Sequence, residues 1–118
     1  MNTVTSSRPK TNAVVVGLAL GVLVSVLAVI AAVVSGGAGH GDYVAARALF
    51  PLPMLLTLLE GGAVGAVSIA VGLLQFPVYG ALLGWSVTRK NHLPAVVVTL
   101  AHVIAASLCF EGALPNFS

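Results

Sequence analysis

The chain has 118 residues, 58% of them apolar and only 7% charged, and its mean hydropathy of +1.08 lies far above that of a water-soluble domain. Five basic and three acidic side chains give a net charge of +2, too few and too dispersed for a nucleic-acid surface. The single cysteine, Cys109, excludes an internal disulfide and a thiolate metal cluster held within one chain.

Residues 1–12 are polar, carry Arg8 and Lys10 around Pro9, and read as a disordered tail ending at a membrane surface. No Asp, Glu, Lys or Arg occurs between Thr11 and Gly41, and none between Gly61 and Thr88. Each stretch supplies the ~20 apolar residues that cross a bilayer core. Ala13 to Val34 is the first spanning helix. A cleaved signal peptide is its rival, but a signal core is typically ~7–15 residues and this run is longer. Ser35 to Asp42 is a glycine-rich surface loop, with Asp42 placed to cap the next helix.

Tyr43 to Leu59 is the second helix and the ambiguous one. Its uncharged part, Ala48 to Leu59, is short and contains Pro51 and Pro53, which suits a re-entrant segment. Its apolar side chains nevertheless surround the helix, leaving no polar face for the headgroups, so the pattern favours a crossing with Arg47 snorkelling outward. After a turn at Glu60-Gly61-Gly62, Ala63 to Val87 forms the third helix, interrupted by Pro77. Leu93 to Phe110 forms the fourth, beyond the polar loop from Arg89 to His92.

The expected fold is thus an all-α, four-helix polytopic bundle in one transmembrane domain over residues 13–111, with a short C-terminal end at 112–118. Three spans plus a re-entrant second segment is the alternative. Basic residues bear on the choice: three crossings place Arg8, Lys10, Arg89 and Lys90 on one side, whereas four crossings divide them.

Polar groups at membrane depth are the candidates for chemistry. His102 shares a helical face with Ala95, Thr99, Ala106 and Cys109. Gln75 and Tyr79 share one with Ser68, Gly72 and Ser86, beside Pro77, which frees the carbonyl of Leu73. Either stripe can join helices by hydrogen bonds or line a polar path. Gly17, Gly21 and Ser25 on the first helix, and Gly80 and Gly84 on the third, are small-residue seams for close packing, within the chain or with another copy.

His40 and Asp42, with His92, are too dispersed to make a convincing metal site. Arg47 reads as a headgroup anchor and Glu60 as a carboxylate at a helix end. No nucleophile-base pair or phosphate loop stands out, so no catalytic, cofactor or metal site is assigned, and an enzyme is not expected.

The stretch GHGDYVAARALFPLPMLL, the segment LQFPVYGALLGW and the late helix with His102 resemble a group of small bacterial multi-pass membrane proteins. These carry a Gly-His-Gly-x-Tyr start and a Gln-Phe-Pro-x-Tyr-Gly motif. The resemblance spans about Gly39 to Phe110 and implies a bacterial inner-membrane location, but the group has no assigned activity to transfer. The leading functional expectation is a structural or accessory membrane protein that associates through helices, with itself or with a larger complex. A small oligomeric transporter or channel through Gln75, Tyr79 and His102 comes second. A heme carrier is third, because only His102 lies at depth and such proteins usually need paired axial ligands.

Overall fold

The computed structural model describes residues 12–37, 41–112 and Leu114. The tail read over residues 1–12 and the C-terminal end at 112–118 lie almost wholly outside these. The described chain is all-helical: α1 (Ala13–Gly36), α2 (Val44–Leu49), α3 (Pro51–Leu56), α4 (Ala66–Arg89) and α5 (Leu93–Phe110). Three of them, α1, α4 and α5, are long and apolar enough to cross a bilayer.

Local chemistry sets the helix ends. The Asn12 side chain accepts from the Val14 N–H at 3.0 Å and starts α1. Gly37, at φ 49°, ends it by returning its N–H to the carbonyls of Val33 and Val34. Asn91 caps α5 at the Leu93 N–H, and Pro94 sits in its first turn, where a missing N–H costs nothing.

The helix expected over Tyr43 to Leu59 is not continuous. It breaks at Phe50 (φ −124°, ψ 53°) into two six-residue pieces. Pro51 and Pro53 cause the break. Neither has an N–H for the carbonyls of Arg47 and Leu49, and a residue preceding proline is driven away from helical ψ. The start of α4 also differs from expectation, at Ala66 rather than Ala63. Residues 57–62 form turns instead, with Gly61 and Gly62 at φ 76° and 81°.

The small-residue seams set the central packing. A Cβ on Gly17 would overlap the carbonyl of Gly80, one on Gly21 the carbonyl of Phe76, and one on Gly84 the carbonyl of Ala13. Helices α1 and α4 are therefore antiparallel, with backbones in direct contact along Gly17, Gly21, Gly80 and Gly84. This is the close approach that glycine permits in lipid. The short link from Lys90 to His92 makes α5 antiparallel to α4. One end of the bundle thus holds the start of α1, Arg89, Lys90 and His92, and the other holds Gly37, Asp42, Glu60 and Glu111.

The broken segment begins and finishes at that second end. Tyr43 lies over Gly36, the Tyr43 N–H donates to Ser35 O at 3.2 Å, and the Ala46 N–H donates to Ser35 Oγ at 3.3 Å. The Phe50 ring then meets Phe76, near the middle of α4, and the chain returns to Glu60 beside the first turn of α4. The hairpin is enclosed by α1, α4 and α5, and the backbones of α1 and α5 do not come close to each other. Outward faces of the long helices are lined by exposed Val, Leu and Ile, as expected of side chains that face lipid.

Candidate functional site

Breaking a helix inside a hydrocarbon layer strands its last carbonyls, and each unpaired one costs several kcal/mol there, of order ~2–7. At the hairpin tip those of Ala48 and Leu49 are met by side chains from the enclosing helices. Gln75 Nε2 donates to Leu49 O at 2.7 Å, and His102 Nε2 lies 2.9 Å from Ala48 O. A carbonyl only accepts, so Nε2 donates to it, and in the neutral imidazole Nδ1 is then the acceptor. The Tyr79 hydroxyl, 3.1 Å away, donates to it. The result is a directional chain from Tyr79 through His102 to Ala48. The Cys109 thiol adds a weak contact to Pro51 O at 3.5 Å.

Aromatic rings run alongside. Phe50, Phe76, Tyr79 and His102 stack edge to face in sequence, with centroid separations of 5.4, 5.9 and 5.6 Å, the geometry preferred by ring quadrupoles. Beneath them Gly72 is open enough that a Cβ would meet Pro53 at 3.4 Å. Thr57 is fully buried and turns its hydroxyl onto Met54 O.

Gln75, Tyr79 and His102 are thus brought together at the hairpin, whereas Asp42, Arg47 and Glu60 are not part of that cluster. Asp42 is exposed and caps α2 by accepting from the Val44 N–H at 3.0 Å. Glu60 reaches across the turn to α4, accepting from the N–H groups of Gly65 (3.2 Å), Val67 (2.8 Å) and Ser68 (3.1 Å) and from the Ser68 hydroxyl. The Ser68 hydroxyl bond above all, with the three N–H bonds, holds its carboxyl below the ordinary value of 4.5. It occupies the positive end of α4, whose own cap residue, Gly65, has no side chain to do so.

His40 lies outside the described residues. His92 lies at the opposite end of the bundle from Asp42, because the hairpin returns to the end it came from. Among the described residues no group of three or more His, Cys, Asp or Glu side chains comes together.

The partners of the cluster were hidden from the sequence, since they are backbone carbonyls exposed by a break. Phe50 and Phe76 join the site with no signal beyond ordinary apolar pattern, whereas Cys109 joins it from the helical face it shares with His102. A wedge of about 250 Å³ between α4 and α5, lined by Phe76, Tyr79, Leu83, Thr99 and His102, opens onto the cluster, an apolar cavity of about 620 Å³ between α1 and α4 also reaches Phe76 and Tyr79, and one of about 440 Å³ reaches Phe50. Ser25 Oγ and Gln75 Oε1 are buried without a hydrogen-bond partner. No protein-family model matches the chain, and no curated protein or solved structure shows significant similarity to it.

Proposed function

We propose that this chain is a structural or accessory membrane protein, not an enzyme, that crosses the bilayer three times and carries a re-entrant hairpin. It acts by presenting apolar helix faces to a second copy or to a larger membrane complex. The observation that carries the reading is the use made of Gln75, Tyr79 and His102. The strong hydrogen-bonding groups near mid-span are committed to the hairpin carbonyls and to each other, as structural joints are. The glycine seam is consumed between α1 and α4, so association falls to the exposed faces of α1 and α5.

Charge distribution supports the three-crossing topology. Arg89 and Lys90 lie at the end where α1 starts, the end that Arg8 and Lys10 precede in the sequence, while Asp42, Glu60 and Glu111 share the other end with Arg47. With the positive side cytoplasmic, and on the likeness to small bacterial multi-pass proteins, the location is a bacterial inner membrane. Co-purification of the tagged chain from native membrane in mild detergent tests the role. A stoichiometric membrane partner or a stable homo-oligomer is the expected result, and a monodisperse monomer with no partner would count against it.

A small transporter or channel is the second reading. Two observations favour it: the unpartnered Gln75 Oε1 and the wedge reaching Tyr79, Thr99 and His102. Broken helices at mid-membrane are also where transporters bind substrate. A well-folded His102→Leu protein that has lost its cellular phenotype would promote this reading.

A further inference from the structure

Arg47 is a cation for which the described residues supply no counter-charge. It lies in the last turn of α2, next to Ala48, whose carbonyl is held by His102 near the middle of α5. The segment enters from the end that holds Asp42, Glu60 and Glu111, where Tyr43 lies over Gly36, so Arg47 stands about one helical turn in from that end. The residue is half-buried, and its Nε is shielded and has no hydrogen-bond partner. Asp42 is engaged at the start of α2 and Glu60 at the start of α4. No carboxylate among the described residues pairs with Arg47.

A guanidinium cannot shed its proton, so it cannot escape the low-dielectric layer by neutralising. It needs an anion or water at the surface. Arg47 also stands at the end opposite Arg89 and Lys90, against the segregation of the other basic residues, so orientation does not account for it. Its fork of N–H donors matches the oxygens of a phosphate bidentately, and phosphates form the layer into which an arginine one turn below the surface extends.

We propose that Arg47 binds a phosphate group at the hairpin end of the bundle. The shared chemistry is a tetrahedral phosphate, delivered either by a phospholipid headgroup in that leaflet or by free phosphate from the aqueous side. This site is independent of whether the protein is an accessory subunit or a transporter.

The test uses the full-length chain in dodecyl maltoside micelles, with thermal unfolding and native mass spectrometry as readouts. The additives are phosphatidylglycerol, a galactolipid with matched acyl chains and no phosphate, and inorganic phosphate. Phosphatidylglycerol is expected to raise the melting temperature of the wild-type protein and to be retained in the gas phase, while the galactolipid does neither. Arg47→Gln should weaken that binding by roughly tenfold or more, the loss of one charge-assisted contact. Should Arg47→Gln fail to fold, Arg47→Lys serves in its place, keeping the charge without the fork, and should retain less phospholipid than wild type. A rise with inorganic phosphate alone, lost in Arg47→Gln, supports the phosphate site with a soluble source. An equal response to the galactolipid, or equal binding by wild type and both variants, overturns the proposal.

Discussion

The imidazole of His102 donates from Nε2 to the carbonyl of Ala48 across 54 residues of sequence, at 2.9 Å. That contact fixes the ring in one tautomer and makes Tyr79 its donor on the other side. Replacing His102 by Leu leaves Ala48 O unpaired and is expected to destabilise the fold by ~1–3 kcal/mol, the cost of orphaning a buried acceptor. Unfolding in mixed micelles measures this. Tyr79→Phe, which removes only the donor to Nδ1, should cost less, about 1 kcal/mol. A larger loss in Tyr79→Phe than in His102→Leu would show that the hairpin carbonyl is not what the imidazole serves.

Gln75 and His102 hold adjacent carbonyls of one loop, so their contributions should not be independent. Once either is replaced by Leu the tip is partly released, and the second replacement then costs less. A double-mutant cycle should give a coupling of about 0.5 kcal/mol or more. Strict additivity would indicate two separate joints.

At Gly80 any side chain would meet the backbone of Gly17. Gly80→Ala is therefore expected to push α1 from α4 and to destabilise by roughly 1–3 kcal/mol, the usual range for overpacking. Gly80→Ile should destabilise further. Retained melting temperature in Gly80→Ile would mean that the two helices do not touch along this seam.

Glu60 links stability to pH. Its carboxyl is more acidic in the folded chain than in the unfolded one, because the Ser68 hydroxyl and the α4 N–H groups bind the charged form. The stabilisation is present in full above the unfolded value, 4.5, and is lost as pH falls through the lower folded value. Melting scans between pH 3 and 7 should show wild type weakening at the acid end, with Glu60→Gln less stable at neutral pH and flatter below it. Parallel curves for the two proteins would remove Glu60 from its capping role.

The three long helices were legible because uncharged runs have no other solvent than lipid, although α1 runs on to Gly36 and α4 begins at Ala66 rather than Ala63. The hairpin was not. The apolar surround of Leu49 to Leu59 reads equally as a lipid-facing span or as a segment buried in protein, since both environments are dry. What decides is whether neighbours supply partners for the carbonyls of Ala48 and Leu49 that the break at Phe50 exposes, and those partners, His102 and Gln75, lie far away in sequence. The polar residues at depth could therefore be named, but not their targets. Likewise the glycine seams marked close packing, while the pairing of Gly17 with Gly80 required the antiparallel register that only the folded chain displays.

The central claim is that residues 43–60 enter and leave on one side of the membrane, and reporter fusions test it most directly. A compartment-sensitive reporter placed before Ala13 and another placed after Ser118 should lie on opposite sides of the bilayer, with a third inserted at Gly61 on the same side as the C-terminal one. Finding the two terminal reporters on the same side would mean four crossings and would contradict the re-entrant hairpin.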